Sequence, residues 1–368
     1  MEQTLCDLIA ISSQSGSEQQ ILLFVADWLK RHGLTISRQS VGVATFIKGK
    51  RSDRCLILNG HVDTVGPGNL NDWATDPLTP KKIAGKIYGL GASDMKSGVA
   101  VLMELADYFS THTPACDLCF MFVGGEEIDG AGTRQLVKWF QNKSADKRYK
   151  TIEAVIAEPT GLEKVEIGHR GNQFVKIAVN GHSGHAAFPL PGDSAILLTS
   201  KIIMGLQDLQ KSWIKQFKDS TMGSPSIAVT GLRAGDFDAP NQIAGESIIQ
   251  LDIRTLPEMH DAAPDLLNKF LATLTDKAKV VSCESALPGF TDDSSRLRRT
   301  FQKLYPKLPQ EAMVGSSDIC FFVNSGIPAI IFGPGQKETI HNKNEYMIAR
   351  NLGKCFEIMK EVIEGYGS

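Results

Sequence analysis

The amino-acid sequence predicts an α/β fold, with a mostly parallel central sheet flanked by helices and a second α+β domain inserted into it. Three short apolar runs, at 55–59, 118–123 and 154–157, alternate with helical patterns, which is typical of strands buried on both faces. After about residue 172 the order changes to βαββαβ, which resembles a split-βαβ sandwich. The length of 368 residues also exceeds what one core usually supports.

The first and last parts of the chain form one discontinuous main domain in this prediction. Its segments are 1–171 and 285–368. Ser15 and Glu18 have capping-box spacing ahead of a helical pattern that ends at Gly33. The predicted elements, in order, are helix 15–33, strands 34–40, 43–48 and 55–59, helix 99–109, strand 118–123, helix 132–141, strand 154–157, strand 329–332 and helix 350–363.

The inserted domain is predicted over 172–284. Alternating apolar and polar residues indicate strands, and apolar residues at helical spacing indicate helices. The predicted elements are strand 174–179, helix 194–209, strands 226–232 and 247–254, helix 262–274 and strand 280–283.

Composition excludes several classes of function. Hydrophobic residues make up 42% and charged residues 22%, with a net charge of −2, so nothing favours nucleic acid or an anionic membrane as a partner. No apolar window is long enough to span a bilayer, and the N-terminus lacks the pattern of a secretion signal. The seven scattered cysteines predict free buried thiols in the cytoplasm. Cys116 and Cys119 have C-x-x-C spacing but no second pair, which disfavours a metal or redox role.

Potential metal ligands follow each of the three buried strands. His61 comes after 55–59, Glu126 and Glu127 after 118–123, and Glu158 after 154–157. The carboxyl ends of parallel strands meet at one edge of a sheet, where α/β proteins place their sites. We therefore expect these side chains to converge.

Two further acids lie near these strand ends. Asp63, two residues after His61, points to the same side of an extended chain and could orient that imidazole, although a surface His-Asp pair is the alternative. Asp94 lies in a glycine-rich turn that opens a helix, and its two oxygens could bridge two cations. A phosphate-binding loop is disfavoured there, because the third glycine and the Lys-Ser/Thr ending are missing.

Glu126 and Glu127 cannot both point the same way at a strand terminus. One could bind metal while the other moves protons. A solvated acidic loop is the alternative for such a pair taken alone.

The motifs together resemble the metallopeptidase family of acetylornithine deacetylase, succinyl-diaminopimelate desuccinylase, aminoacylase and carboxypeptidase G. At least five motifs match in order along the whole chain. The resemblance implies two divalent ions, with zinc expected and cobalt or manganese as alternatives. It implies that Asp94 bridges the ions, and that the remaining ligands are His61 and Glu158 at one ion, and Glu127 and His341 at the other.

The resemblance also assigns roles beyond the metal ligands. Glu126 would be the general base, and Asp63 would position His61. The bridging aspartate precedes a cis peptide in the family, which makes Asp94–Met95 a candidate for one. His185, in a lid segment of the inserted domain, would stabilise the oxyanion in the partner subunit's site, which implies a homodimer formed through the lid domains.

Substrate contacts are implied at positions that match the family's lid and pocket loops, namely Asn241, Arg254, Gly315 and Ser316. A guanidinium such as that of Arg254 suits a carboxylate. The sequence departs from the family pattern at Gly125, where an aspartate is frequent, and at Phe188, where desuccinylases carry tyrosine. Neither departure removes a ligand or the base.

The resemblance predicts a cytoplasmic metal-dependent deacylase of amino-acid biosynthesis, which hydrolyses the amide bond of a small N-acyl amino acid. The segments 315–318 and 341–345 resemble the desuccinylase more, whereas 158–160, 251–257 and 288–290 resemble the acetylornithine enzyme more. On balance the resemblance slightly favours N-succinyl-diaminopimelate over N-acetylornithine as substrate. A small-peptide exopeptidase of the same family is a further alternative. A non-catalytic metal-binding module of this fold is the alternative from another class, and the presence of Glu126 with all five ligand positions argues against it.

Overall fold

The computed structural model describes residues 1–144, 149–188 and 194–368. The chain divides into two compact units. The first comprises Met1–Gly168, Phe290–Ala312 and Ser317–Ser368, and the second comprises His169–Gly289 and Met313–Ser316. A mixed sheet with parallel core strands flanked by helices confirms the predicted fold class. The boundaries 171/172 and 284/285 stay predictions.

The helices of the described residues are α1 (Glu2–Ile9), α2 (Gln19–Arg31), α3 (Lys96–Thr111), α4 (Ala131–Lys143), α5 (Ala195–Gln216), α6 (Ala263–Leu274), α7 (Arg296–Leu304), α8 (Ile319–Asn324) and α9 (Arg350–Gly367).

The strands are β1 (Ile36–Gln39), β2 (Gly42–Ile47), β3 (Arg51–His61), β4 (Lys81–Ile83), β5 (Lys86–Tyr88), β6 (Cys116–Val123), β7 (Thr151–Ile156), β8 (Val165–His169), β9 (Gly171–Asn180), β10 (Gly184–His185), β11 (Ser226–Ala234), β12 (Gln242–Ile243), β13 (Glu246–Thr255), β14 (Ala278–Ala286), β15 (Gly289–Phe290), β16 (Gln310–Met313), β17 (Ala329–Ile331) and β18 (Tyr346–Ile348).

The large sheet has the order β1-β2-β6-β3-β7-β17-β8-β15, with β16 paired to β8. Its centre is parallel, since β3 pairs in parallel with both β6 and β7, and β17 pairs in parallel with β7. Every residue of β6 is buried, as expected for a strand covered on both faces. The carboxyl ends of these central strands therefore lie along one edge.

Helix α3 packs against α1, α9 and β3. Its first turns are buried on every side, including Lys96. A Cβ atom on Gly98 would lie 2.1 Å from the carbonyl oxygen of Ala157, so only glycine allows the start of this helix to approach the end of β7 so closely. This approach brings the turn at Asp94 to the strand end that carries Glu158.

The second unit contains an antiparallel sheet of order β11-β13-β9-β14, with α5 and α6 packed against it. Along the chain the elements run β9, α5, β11, β13, α6, β14, which is the βαββαβ order expected from the sequence. Strand β9 alternates between buried and exposed residues from Phe174 onward, as a sheet with one face on a core requires. A short pair, β10 with β12, carries His185 opposite Gln242.

Several predicted elements differ from the structure. The helix expected to begin at Ser15 begins at Gln19, because the Ser15 hydroxyl donates to Asp63 at 2.7 Å rather than to a helix amide. The helix predicted over 194–209 continues to Gln216. Helices α1, α7 and α8 and the small sheet β18-β5-β4 were not predicted, since these helices span nine residues or fewer and these strands three residues each.

Cys6, Cys116, Cys119, Cys283, Cys320 and Cys355 are free thiols. The prediction that they are buried fails at two of them, because Cys6 is half-buried and Cys283 is exposed. Burial raises the pKa of Cys116 to about 12 and raises the pKa of Cys119 as well, so both thiols stay protonated and neither is a good metal ligand. Among the described residues, no helix has the combined length and apolar character needed to cross a bilayer.

Candidate metal centre

His61 is the last residue of β3 and is 1% exposed. Its Nε2 lies 3.1 Å from Asp94 Oδ1 and 3.3 Å from Glu158 Oε1. Glu158 follows β7, the parallel neighbour of β3, so adjacent strands deliver both side chains to the same edge. Asp94 arrives from the turn before α3. One imidazole and two carboxylates thus face a common point.

A second group of donors lies on the other side of Asp94. His341 Nε2 is 3.0 Å from Glu127 Oε2 and 3.5 Å from Asp94 Oδ2. The two oxygens of Asp94 therefore face different histidines. This is the arrangement that a carboxylate needs to bridge two cations.

Glu126 belongs to the same cluster. Its carboxylate oxygen and the donor atoms of His61 and Glu158 all lie within 4.8 Å of one another. Burial raises the pKa of Glu126 well above the usual range, and the charges of Glu158, Asp318 and Asp94 raise it further although His61 opposes them. A carboxyl group with a raised pKa takes up a proton more readily than an ordinary glutamate does.

The electrostatics of the cluster fit a bound cation. Burial and the neighbouring charge of Asp94 raise the pKa of Glu158, and a hydrogen bond with Glu127 raises the pKa of His341 to about 9. Burial would raise the pKa of Asp94, but hydrogen bonding and charge from His61 outweigh it and lower that pKa. These carboxylates gather around imidazoles, an N and O donor set that suits zinc, cobalt or manganese.

Asp63 anchors the main chain just beyond the ends of β3 and β6. Its Oδ2 accepts hydrogen bonds from Ser15 Oγ at 2.7 Å and Glu127 N at 3.2 Å, while its Oδ1 accepts from Glu126 N at 3.3 Å. The Nδ1 of His61 lies 3.0 Å from the Asp63 carbonyl oxygen and 3.5 Å from its carboxylate. Burial would raise the pKa of Asp63, but the hydrogen bonds from His61 and Ser15 outweigh it and lower that pKa. One ionised carboxylate therefore holds His61 and the two adjacent glutamates in register.

Glu345 holds the turn that carries Asp94. Its carboxylate accepts hydrogen bonds from three main-chain amides, those of Gly91 at 2.8 Å, Ser93 at 2.7 Å and Asp94 at 2.9 Å. The Asp94–Met95 peptide bond in this turn is cis, as the resemblance implies.

Two further buried ionisable side chains, those of Lys96 and Asp318, lie near the proposed metal ligands. Lys96 Nζ donates to the carbonyl oxygen of Ile11 at 3.0 Å. Burial lowers the pKa of Lys96 to about 7, although the charges of Glu345 and Asp63 oppose the shift. Asp318 is also buried and accepts a hydrogen bond from Thr133 Oγ1. Burial raises the pKa of Asp318 to about 6.

The remaining predicted site residues belong to the second unit. His185 is exposed, and its Nδ1 accepts a hydrogen bond from Ala187 N at 3.1 Å. Asn241 is exposed and precedes β12. Arg254 Nη2 donates to Asp252 Oδ2 at 3.0 Å, so a neighbouring residue on β13 already pairs with its guanidinium. Gly315 and Ser316 are exposed and also fall in the second unit. Their roles stay predictions.

Sequence reasoning missed three parts of the centre, namely Ser15, Glu345 and the Asp318–Thr133 pair. Ser15 had been interpreted as a helix cap, and nothing in its neighbourhood signals a partner near residue 63. Glu345 follows His341 by four residues, but the sequence does not reveal from which main-chain amides its carboxylate accepts hydrogen bonds. Asp318 lies two residues after Ser316 of the predicted pocket loop, and the sequence gives no sign that it is buried against Thr133 of α4.

The mixed α/β sheet carries a candidate metal centre of imidazole and carboxylate donors at the ends of its parallel strands. The chain belongs to Peptidase family M20/M25/M40, whose profile matches residues 57–365, and it is a metal-dependent amidohydrolase. An acetylornithine deacetylase from Proteus mirabilis is 26% identical over 364 residues, which cover 95% of this chain and 90% of the relative. A succinyl-diaminopimelate desuccinylase from Wolbachia sp. subsp. Brugia malayi is 29% identical over 375 residues, covering 98% and 87%.

Solved structures of the family share the fold. A tripeptidase from Staphylococcus aureus superposes with a TM-score of 0.76 at 22% identity, covering 100% of this chain and 97% of that one. A dinuclear metal-binding peptidase from Bacillus subtilis gives a TM-score of 0.70 at 15% identity, covering 99% and 96%.

Proposed function

We propose that this amidohydrolase binds two divalent metal ions and removes the acyl group from a small N-acyl amino acid, with N-succinyl-diaminopimelate as the favoured substrate. The observation that carries the metal pair is the placement of Asp94, whose Oδ1 lies 3.1 Å from His61 Nε2 and whose Oδ2 lies 3.5 Å from His341 Nε2. His61 and Glu158 would complete one position, and Glu127 and His341 the other. Zinc is the proposed metal.

The chain's own residues would carry the proton transfers. Bound divalent ions would polarise the acyl carbonyl and lower the pKa of an attacking water. Glu126 would accept the proton of that water on its carboxylate and deliver it to the departing nitrogen. Burial raises the pKa of Glu126, which supports the role because its ionised carboxylate is then a stronger proton acceptor than that of an ordinary glutamate.

Asp63 would keep this apparatus in place. It accepts the main-chain amides of both Glu126 and Glu127, so the base and a metal ligand share one anchor. His185 is proposed to donate a hydrogen bond to the oxyanion across a lid-mediated homodimer, and such a donor is typically worth about 3–4 kcal/mol. Asn241, Arg254, Gly315 and Ser316 are proposed to contact substrate.

The relatives support a deacylase. They include proteins named as a deacetylase and as a desuccinylase, at 26% and 29% identity over nearly the whole chain. N-acetylornithine is therefore the second candidate substrate. A cytoplasmic location, and a place in amino-acid biosynthesis, are proposed with this function.

A hydrolysis screen tests the substrate class. Metal-free protein would be supplied separately with zinc, cobalt and manganese, and offered N-succinyl-diaminopimelate, N-acetylornithine and a dipeptide. Release of succinate with the highest kcat/KM supports the proposal, while preferred cleavage of the dipeptide would assign an exopeptidase. A folded, metal-loaded protein that turns over none of them would leave the non-catalytic metal-binding module as the better description.

A further inference from the structure

We infer that Glu345 is a positioning residue whose carboxylate fixes the bridging Asp94 and ties it to the chain segment of His341, so that the affinity of both metal positions depends on it. The inference rests on the proposed metal pair.

The Glu345 carboxylate accepts three main-chain hydrogen bonds from one short turn of the chain. Its Oε1 accepts from Ser93 N at 2.7 Å and Asp94 N at 2.9 Å, and its Oε2 accepts from Gly91 N at 2.8 Å. The residue is only 2% exposed, so water does not offer these amides an equivalent acceptor. These three hydrogen bonds thus hold the main chain of the turn that positions the Asp94 carboxylate.

Glu345 also joins this turn to a second ligand. It follows His341 by four residues, and its own carbonyl oxygen accepts from Gly89 N at 3.0 Å. Directly after it, β18 pairs antiparallel with β5, which leads into the turn. The side chain and the main chain of Glu345 therefore connect the turn of Asp94 with the segment of His341.

The segment needs such support. His341 and Asn344 have φ values of 54° and 58°, in the left-handed region that residues other than glycine rarely adopt. Backbones of this kind persist where the surrounding structure holds them. Loss of the Glu345 carboxylate would release the turn at Asp94 and weaken the hold on His341.

Glu153 supplies a matched control. It is 3% exposed, and its carboxylate accepts the main-chain amides of Arg296 at 2.9 Å and Leu297 at 2.6 Å. It thus anchors the start of α7 much as Glu345 anchors the turn at Asp94. It lies in β7, five residues before Glu158, and these two hydrogen bonds go to α7 rather than to a proposed metal ligand.

The experiment measures metal binding without substrate, so it is independent of whether any acyl amino acid is hydrolysed. Metal-free Glu345→Ala, Glu345→Gln and Glu153→Ala proteins are titrated with zinc by calorimetry, and their cobalt forms are compared by visible absorption. Thermal unfolding of the metal-free proteins measures the structural cost separately. A partner that orients metal ligands typically changes affinity by about 10–100-fold.

We expect Glu345→Ala to bind zinc about 10–100-fold more weakly and to show an altered cobalt spectrum, while Glu153→Ala loses stability but keeps both properties. Glu345→Gln should recover part of the affinity, because its amide oxygen can still accept from Ser93 and Asp94. If Glu345→Ala fails to fold, Glu345→Gln decides the matter by a smaller loss and its cobalt spectrum. Wild-type affinity and spectrum in the folded Glu345 variants, or an equal loss in Glu153→Ala, would overturn the inference.

Discussion

The pH dependence of metal binding should report the proton held by His341. Its Nε2 lies 3.0 Å from Glu127 Oε2, and the hydrogen bond with Glu127 raises its pKa to about 9 while burial opposes the shift. A protonated imidazole has no lone pair for a metal. Metal binding near neutral pH must therefore displace this proton, and the affinity should rise with pH.

The size of the effect follows from the raised pKa. Below a pKa of about 9, the neutral fraction of His341 rises about tenfold per pH unit, or about 1.4 kcal/mol. Apparent affinity at this position should therefore increase about 100-fold from about pH 6 to about pH 8. Glu158 acts in the same direction, because burial and the charge of Asp94 raise its pKa and protonation would compete with metal there too.

Calorimetric titration with zinc, in buffers that differ in ionisation enthalpy, counts the protons released on binding. Near pH 7 we expect release of about one proton from His341, with a further contribution from Glu158. His112→Gln is a suitable control, because His112 is exposed at the far end of α3 and should leave both affinity and proton count unchanged. Affinity that is constant across this pH range, with no proton released, would refute the reasoning.

Three further outcomes are expected. Glu126→Gln should keep its bound metal, measured by elemental analysis, while kcat falls by about 10²–10⁴-fold, and turnover like that of the wild type would remove Glu126 as the base. Mixing Glu126→Gln and His185→Ala protomers should restore activity if His185 acts across the dimer, whereas mixed dimers that stay inactive would contradict that arrangement. Metal-free protein should melt at lower temperature as pH rises from about 6 towards about 9. The raised pKa values of Glu158 and His341 mean that the folded state holds protons more tightly than the unfolded chain does and loses that advantage on deprotonation. Lys96, whose pKa is lowered to about 7, acts in the opposite direction and offsets only part of this loss. Melting curves in chelator test this, and a rising melting temperature would contradict it.

Much of the centre could be predicted because its ligands follow local rules. Buried parallel strands are recognisable as apolar runs, and the residues after them must meet at one edge. His61, Glu127 and Glu158 were found in this way. Asp94 and its capacity to bridge two cations are predicted from its glycine-rich turn and its two oxygens, whereas the ligand role of His341 is implied only by the resemblance to known metallopeptidases.

One physical reason explains why the sequence did not predict the roles of Ser15 and Glu345. Ser15 donates to Asp63, 48 residues away, and Glu345 accepts from Asp94, 251 residues away. The local sequence around a polar residue is the same whether its side chain caps a helix, faces water or orients a distant ligand. The capping-box spacing of Ser15 and Glu18 is a local preference that the tertiary hydrogen bond to Asp63 overrides.

The adjacent pair Glu126 and Glu127 illustrates how the fold can divide two chemically identical groups. Asp63 accepts both of their amides, which fixes the main chain just beyond β6. The side chains then diverge, since Glu127 pairs with His341 at 3.0 Å whereas Glu126 lies with His61 and Glu158. Glu127 therefore contacts an imidazole, while burial and like charges favour the protonated form of Glu126. Exchanging the roles would require the strand end to rotate, and the three hydrogen bonds to the Asp63 carboxylate oppose that rotation.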